Sequence, residues 1–349
     1  MAVLTLREQT FDQAALPVSA GWLLADCMEF RGKQDLWSRQ RPEVLEALRQ
    51  QAMIQSVESS NRIEGVTVAP ERLAPLVLGK ARPRNRSEEE LSGYRRALDW
   101  VFTRKSAVPV DARTIRHLHS LSHAGAGDAG EFKSRDNEIN EILPDGQRRI
   151  RFTPTPAKQT AGAVDDLCAA YQRLVDGQRV PPLLIVSTMV FDLLCIHPFR
   201  DGNGRVSRLL TTMLLLRQGF SVSRYVSLER LVEETKEDYY RVLAECSQGW
   251  HEGCNPILPW WNHSLGVLRR AYVEFSRQVE SCAGQPVKTE LARRLILGQV
   301  GEFTLADIQG QLPGISIQLL KKVLAEMKAA GQVSLAGRGR GAKWMVRQR

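Results

Sequence analysis

One apolar segment constrains the fold of this chain more than any other feature. Residues 182–196 read PLLIVSTMVFDLLCI, and Asp192 is the only charged residue among them. A helix that is apolar on all sides lies at the centre of a bundle rather than on a surface. The segment is too short and too interrupted for a membrane span, which needs about 18 apolar residues. The sequence therefore predicts a mainly helical protein built around a buried helix.

Helical periodicity dominates the rest of the first 280 residues. Apolar residues recur at spacings of three and four in segments that we predict as helices, at 42–64, 87–105, 111–123, 157–175, 206–220, 232–248 and 257–281. Pro42 suits a first helical turn, Gly65 suits a helix end, and Asp111 suits an N-cap. A Pro-Asp-Gly turn between isoleucine-bearing stretches predicts one β-hairpin at 137–152.

The last part of the chain follows a separate pattern. After a linker-like stretch at 282–288, three helical patterns precede two short strand patterns around the turn GRGRG, which is the order of a winged helix. From Gln285 to Arg349 there are eleven Lys or Arg against four Asp or Glu, so most of the net charge of +9 lies here. Such an excess indicates either contact with DNA or a solvated surface.

Cysteine usage and the N-terminus indicate the compartment. The six cysteines form no CxxC pair, so we predict buried, reduced thiols rather than a zinc site or a disulfide framework. The N-terminal sequence lacks the basic start and apolar stretch of a signal peptide. We therefore expect a cytoplasmic protein with no membrane partner.

Directly after the apolar segment comes the stretch HPFRDGNGRVSR, residues 197–208. One predicted helix ends at about Ile196 and another starts near Arg205, so the loop between them lies at a helix N-terminus. Free backbone N–H groups and the helix dipole attract anions at such a position. Gly202 and Gly204 allow the backbone to approach a ligand closely.

The side chains of this stretch suit phosphate chemistry. Arg205 and Arg208 lie one helical turn apart, and guanidinium groups match phosphate oxygens. Asp201 suits a hard cation such as Mg²⁺, and His197 suits a general base. The set indicates phosphoryl or nucleotidyl transfer without either common glycine-rich phosphate motif. A capped helix start with a surface ion pair is the plainer alternative, and it leaves His197 and Asp201 unexplained.

The stretch resembles the signature of the Fic (Fido) family, HPFx[DE]GNGRxxR, at every specified position. The resemblance extends over roughly residues 100 to 270. It implies a Fic-type helical bundle at 106–270 with a small β-hairpin flap, preceded by a helical region at 1–105 and followed by a winged helix-turn-helix domain at 286–349. Many family members transfer AMP from ATP to a hydroxyl group of a target protein, which implies ATP as substrate and Mg²⁺ as cofactor.

The resemblance also implies roles for individual residues. His197 would take the proton from the target hydroxyl, Asp201 would bind Mg²⁺, and Arg205 would support the leaving phosphates. Arg208 would hold the γ-phosphate, and backbone N–H groups would cradle phosphate at Gly202, Asn203 and Gly204. Phe199 would anchor the loop by burial.

The resemblance extends to the hairpin and to a later aromatic pair. The flap would dock the target backbone by strand addition, with Ile139 as a clamp, although a hairpin packed only for stability is the alternative. Tyr239 and Tyr240 resemble residues near the adenine in relatives, and an aromatic pair packed in the core is the alternative. Lys133 stands where Arg is common, and Ser207 stands where Gly is frequent.

A second motif lies upstream, in SSNRIEGV. Ser60 and Glu64 are four residues apart and share a helix face. With Gly65 they match the family's inhibitory pattern [ST]xxxE[GN]. In relatives that carry it, the glutamate pairs with the second arginine of the signature, here Arg208. A carboxylate in that place would compete with the γ-phosphate for the guanidinium group.

Other features leave alternatives open. His117, His119 and His123 cluster on one predicted helix, but no acidic third ligand accompanies them, which favours packing over metal binding. The leading hypothesis is an autoinhibited protein adenylyltransferase that modifies a target or itself and forms a homodimer. The alternatives are a DNA-binding regulator that uses the Fic domain as a nucleotide sensor, and a Fic enzyme that removes AMP.

Overall fold

The computed structural model describes residues 4–40, 42–104, 108–142, 147–281, 287–299, 301–312, 314–336 and 342–347. Fifteen α-helices and five short strands lie within them. The helices of the N-terminal region are α1 (Glu8–Asp12), α2 (Val18–Gln40), α3 (Pro42–Ile63), α4 (Pro70–Val77) and α5 (Arg86–Arg104). The predicted hairpin turn at 143–146, most of the linker, and the turn at 337–341 lie outside the described residues.

The central part of the chain is helical apart from one hairpin. In chain order its elements are α6 (Ala112–Ser122), β1 (Ile139–Ile142), β2 (Arg148–Phe152), α7 (Ala157–Gly177), α8 (Pro182–Ile196), α9 (Asn203–Arg217), α10 (Leu228–Glu234), α11 (Lys236–Ser247) and α12 (Leu258–Ser281). The two strands pair antiparallel, with Ile139 opposite Phe152 and a bulge after Ile139. They are the only strand pair that the structure describes before residue 282, as the sequence predicts.

The prediction of a buried central helix is confirmed. All residues of α8 from Leu183 onward are buried, and the helix packs against α7, α9 and α12. Two tryptophans of α12 fix it by hydrogen bonds, because Trp260 Nε1 donates to Ser187 O and Trp261 Nε1 donates to Thr188 Oγ1, each at 2.8 Å. Buried indole N–H groups need such partners.

Asp192, the charged residue in this apolar helix, has three donors. The backbone N–H groups of Thr5 and Leu6 donate to its carboxylate, and so does Trp250 Nε1 at 2.8 Å. Burial still raises the pKa of Asp192 to about 6. The carboxylate therefore ties the N-terminal segment to the central helix, and hydrogen bonds offset part of the cost of burying it.

Some predicted helix bounds are wrong. The predicted helix at 232–248 is two helices, α10 and α11, because Thr235 leaves helical geometry (φ −116°, ψ 30°) and its hydroxyl donates to Leu231 O. A threonine that bonds back to an earlier carbonyl competes with the helix in this way. The helix predicted at 206–220 begins at Asn203 and ends at Arg217. Neither α2 nor α4 has an element predicted for it.

The C-terminal part contains α13 (Val287–Leu297), β3 (Glu302–Thr304), α14 (Leu305–Gln311), α15 (Ile317–Ala329), β4 (Val333–Ala336) and β5 (Lys343–Val346). The three helices and the final hairpin follow the predicted order, and β3 was not predicted. The strands form one antiparallel sheet in the order β3-β5-β4. Within the described residues α14 packs on α4 and α13 packs on α3. The winged-helix assignment of this part stays a prediction.

No helix in the described part of the chain is long and apolar enough to cross a membrane.

Candidate active site

The loop between α8 and α9 turns sharply at both ends. His197 follows the last residue of α8 and has left-handed backbone angles (φ 52°, ψ 59°). Gly202, which precedes α9, is also left-handed (φ 76°, ψ 6°). A residue other than glycine rarely adopts such angles, and strain of this kind concentrates at functional sites. The two turns place the loop at the N-terminus of α9, as the sequence predicts.

Hydrogen bonds within the loop hold its shape. The Asn203 side chain accepts from Phe199 N at 2.9 Å and donates to Phe199 O at 2.8 Å. The Phe199 ring is fully buried, as expected of an anchor. Lys133 supports the loop from outside, because its backbone N–H donates to Pro198 O and its Nζ lies 3.3 Å from Ile196 O. Burial lowers the pKa of Lys133 to about 8.

His197 has the protonation state that a base requires. Its Nδ1 lies 3.3 Å from Leu194 O, and this contact favours the tautomer with the proton on Nδ1. The lone pair is then on Nε2, which can accept a proton. Burial lowers the pKa of His197 to about 4, so the ring is neutral at pH 7.

Asp201 presents its carboxylate to solvent. The side chain is 67% exposed, and Oδ1 accepts from Gly202 N at 2.6 Å. Contact with His123, whose Nε2 lies 3.6 Å from Oδ2, holds the pKa of Asp201 below its usual range. One accessible carboxylate beside a phosphate site fits Mg²⁺, which usually takes one or two carboxylates and completes its shell with phosphate oxygens and water. No cluster of three or more acidic, His or Cys ligands exists among the described residues.

The Arg205 side chain is buried, and neighbouring residues contact its two terminal nitrogens, whereas Nε is buried without a hydrogen-bond partner among the described residues. Its NH1 donates to Glu90 Oε2 at 2.7 Å, and its NH2 lies 3.1 Å from His123 Nε2. Only 2% of the side chain is exposed. In this structure the guanidinium group therefore connects the start of α9 to Glu90 and His123. Its contact with leaving phosphates stays a prediction.

Arg208 and the upstream motif meet in space. Arg208 NH2 donates to Glu64 Oε1 at 2.7 Å and to Ser60 O at 2.9 Å, while Nε donates to Ser60 Oγ at 2.9 Å. Burial acts to lower the pKa of Arg208, but the Glu64 carboxylate, together with Tyr94 and Tyr239, holds the pKa above its usual value. Residues of the motif and the second signature arginine, far apart in sequence, thus form one cluster, in which Ser60 and Arg208 are buried and Glu64 is partly exposed.

Backbone geometry at the end of α3 places Glu64. Gly65 has φ 79°, and the N–H groups of Gly65 and Val66 donate to Arg62 O and Asn61 O. This is the Schellman pattern of a helix that ends at a left-handed glycine. Gly204 faces the carboxylate closely, since a Cβ there would lie 2.3 Å from Glu64 Oε1. The absence of a side chain at position 204 gives Glu64 room above the start of α9.

The two tyrosines of the aromatic pair, Tyr239 and Tyr240, differ in burial. The Tyr239 and Tyr240 rings meet edge to face with centroids 5.2 Å apart. Tyr239 is buried and also packs near Trp260, whereas Tyr240 is half-buried. Tyr239 and Arg208 line a mostly apolar cavity of about 90 Å³ that does not include His197. Tyr239 is thus a core residue here, and adenine contact by either tyrosine stays a prediction.

The hairpin is attached to the loop through Asn137. Its Nδ2 donates to Phe199 O at 3.3 Å, and its Oδ1 accepts from Lys133 Nζ at 2.7 Å. Ile139, half-buried, starts β1 two residues later. The hairpin therefore begins beside the signature loop, and the role of Ile139 as a clamp stays a prediction.

Sequence reasoning missed several residues that support the loop, namely Glu90, His119, His123 and Asn137. His119 and His123 stack on each other with ring centroids 4.7 Å apart, and both contact the loop. The spacing of these two histidines, four residues apart at the end of α6, is the one signal for them in the sequence. The spacing places them on the same face of the helix, but it does not show which residues they contact.

The fold and the site define a helical protein with a glycine-containing loop between two buried helices, at the N-terminus of the second helix, and a neutral histidine at the edge of the loop. The sequence model of the Fic/DOC family matches residues 109–215. These residues are therefore a Fic/DOC family domain.

Curated relatives and solved structures agree with this assignment. The chain is 26% identical to protein adenylyltransferase Fic of Nematostella vectensis over 208 residues, which is 57% of this chain and 44% of the relative. The corresponding protein of Drosophila willistoni is 23% identical over 58% of this chain and 42% of its own length. The chain thus spans less than half the length of these curated relatives.

A Fic family protein from Desulfovibrio desulfuricans has the same fold, with a TM-score of 0.61 at 19% identity over 96% of this chain and 98% of its own. A Fic domain-containing signaling protein from Bacteroides thetaiotaomicron matches with a TM-score of 0.60 at 20% identity, over 75% of this chain and 98% of its own.

Proposed function

We propose that this chain is an autoinhibited protein adenylyltransferase, which moves AMP from ATP to a hydroxyl group of a target protein or of itself. One observation carries the proposal. Neutral His197 lies at one end of the signature loop, and the other end of this loop is the N-terminus of α9. Both parts belong to the domain that matches the Fic/DOC family. The names of the curated relatives support the same activity.

The residues of the loop suit each requirement of the reaction. The target oxygen forms a bond to the α-phosphorus, the bond to pyrophosphate breaks, and His197 Nε2 receives the hydroxyl proton. The N-terminus of α9 and the loop amides stabilise negative charge on the phosphates. Mg²⁺, held by Asp201, would supply further charge neutralisation when bound.

The inhibitory part of the proposal rests on the Glu64–Arg208 pair. Arg208 already makes two hydrogen bonds to Ser60, which fix its guanidinium in place, and Glu64 accepts a third. A γ-phosphate that needs this guanidinium must displace the carboxylate. Inhibition therefore acts on the pose of ATP rather than on His197.

A mass-spectrometric experiment tests the activity. The Glu64→Gly chain is incubated with ATP, Mg²⁺ and a cell extract, and proteins that gain the mass of AMP on a hydroxyl side chain are identified. His197→Ala in the same background is the matched control, and we expect it to abolish the modification. Modification that persists in the His197→Ala chain would contradict the assignment of His197 as the base.

Hydrolytic removal of AMP, in which water oriented by Glu64 forms the bond to phosphorus and the bond to the protein oxygen breaks, is the second candidate activity. The partly exposed position of Glu64 beside the loop, with 26% of its side chain exposed, favours it. Incubation of a modified target with wild-type chain and Mg²⁺ separates the two activities. Loss of AMP with wild type, but not with Glu64→Gly, would identify a removing enzyme.

We also propose a DNA contact for the C-terminal part, through α15. Gln318, Lys321, Lys322 and Lys328 are exposed on this helix, and lysines on such a helix can contact phosphates. Duplex binding would be measured by fluorescence anisotropy for a specific and a random sequence. Lys321→Glu is expected to weaken binding and Lys158→Glu on α7 to leave it unchanged.

A homodimer is the remaining partner proposal. Val18, Trp22 and Leu36 on α2 are 88%, 71% and 62% exposed, and large exposed apolar groups indicate an interaction surface. Sedimentation velocity would show a dimer for wild type that Trp22→Glu weakens. An unchanged dimer in that variant would place the interface elsewhere.

A further inference from the structure

His119 has each of its polar atoms and both ring faces in contact with neighbouring residues. Nδ1 accepts a hydrogen bond from Gly130 N at 2.8 Å, and Nε2 lies 3.1 Å from the backbone oxygen of Asp201. The ring stacks on Phe199, with centroids 3.9 Å apart and planes 7° from parallel, and also on His123. The side chain is almost completely buried. It joins α6, the turn at Gly130 and the signature loop.

These contacts define which nitrogen carries the proton. Because Nδ1 accepts from Gly130 N–H, it has no proton of its own, and the neutral ring carries its proton on Nε2. Nε2–H therefore donates to Asp201 O. The bond links residues that are 82 positions apart in the chain.

The bond from Nε2 sets the direction of a neighbouring amide. Asp201 C=O and Gly202 N–H belong to one planar trans peptide unit, so they point in opposite directions. With the oxygen turned inward to His119, the Gly202 N–H points outward and reaches the Asp201 carboxylate at 2.6 Å. Glycine adopts many backbone angles at similar energy, so the orientation of this peptide depends on its two hydrogen bonds, one to the exposed Asp201 carboxylate and one from buried His119.

We propose that His119 is a positioning residue for nucleotide phosphates, because it holds the Asp201–Gly202 peptide with its N–H turned outward, where a bound phosphate would replace the Asp201 carboxylate as the acceptor. This inference rests on the proposed function, since it assumes that the site binds a nucleotide. His119 does not touch the substrate. It acts through the orientation of the loop.

Two substitutions separate this role from simple packing. The amide nitrogen of glutamine extends about as far as Nε2, so His119→Gln keeps a donor for Asp201 O and loses the acceptor for Gly130. The amide oxygen of asparagine is at the level of Nδ1, so His119→Asn keeps the acceptor and loses the donor. Both variants lose the stacking on Phe199. His117→Asn, on the same helix but with its ring against Trp100, is the matched control.

The test is calorimetric titration of the full-length chain with ADP in the presence of EDTA. ADP has no γ-phosphate, so Glu64 and Arg208 do not need to separate for it to bind. Thermal melts of each variant accompany the titrations. We expect His119→Asn to bind ADP about tenfold more weakly, which corresponds to about 1.4 kcal/mol. His119→Gln is expected to stay within about threefold of wild type, because it keeps the donor for Asp201 O, and His117→Asn to match wild type.

Each other outcome overturns a defined part of the argument. Equal ADP affinity in wild type, His119→Asn and His119→Gln would show that the peptide does not need His119. Equal losses in the two His119 variants, in step with their melting temperatures, would show a packing role only. A wild-type chain that binds neither ADP nor ATP would overturn the proposed function, and the positioning role with it.

Discussion

The strongest prediction concerns the carboxylate of Glu64, which accepts a hydrogen bond from Arg208, the second arginine of the signature. Glu64→Gly removes the partner of Arg208, while Ser60 still holds the guanidinium from two sides. The side chains of Glu64 and Arg208 are 26% and 8% exposed, and their atoms are 2.7 Å apart. A hydrogen bond to a charged group in such surroundings contributes about 1.5–3 kcal/mol.

This energy sets the size of the expected effect. If ATP must displace Glu64 to bind productively, its removal raises AMP transfer at low ATP by roughly 10- to 150-fold, at about 1.4 kcal/mol for each factor of ten. The assay follows radioactive AMP on protein over time. Glu58→Gln is the matched control, because this carboxylate of α3 pairs with Arg62 at the surface. Equal rates for wild type and Glu64→Gly would refute the inhibitory role.

Three further predictions follow from the same site and its supporting helices. Gly204→Ala should destabilise the wild-type chain by about 1–3 kcal/mol, because its Cβ would lie 2.3 Å from Glu64 Oε1 and would displace this carboxylate from Arg208; in the Glu64→Gly background, where the 3.2 Å contact with Arg208 NH1 remains, urea unfolding should show a smaller cost, and an equal cost in both would contradict the contact with Glu64. His197 must be neutral to accept a proton; burial lowers its pKa to about 4, and the charge of Glu64 acts in the opposite direction. In the Glu64→Gly chain kcat/KM should therefore not fall until the pH reaches about 4 or below; a half-maximal point near the ordinary histidine value would mean that the ring is not buried during the reaction. Asp111→Ala removes the acceptor for Thr114 N and should cost about 1 kcal/mol in chemical denaturation, without changing ATP binding.

Local signals explain why much of the fold was predictable. Gly65 ends α3 and Asp111 caps α6 because each residue acts on the backbone within a few positions of itself. The end of α8 at Ile196 follows from the change of apolar residues to a polar loop. The break at Thr235 gave no such signal, because threonine is tolerated inside helices and only its hydrogen bond to Leu231 O shows the interruption.

The contacts that shape the candidate site were harder to predict from the sequence. The pairing of Glu64 with Arg208 came from resemblance to a family pattern, since no periodicity links residues so far apart. The bonds from Arg205 to Glu90 and from His119 to Asp201 depend on how α5 and α6 pack against the loop. Histidine spacing alone indicated packing or metal binding, and the loop contact became visible only in three dimensions.

The central claim is that the loop transfers AMP rather than phosphate. The most direct measurement incubates the Glu64→Gly chain and a protein target with ATP carrying radioactive phosphorus at either the α or the γ position. We expect that the protein target retains the α label, that the γ label leaves with pyrophosphate, and that the target retains neither label with the His197→Ala chain. Retention of the γ label without the α label would show phosphoryl transfer and contradict the account.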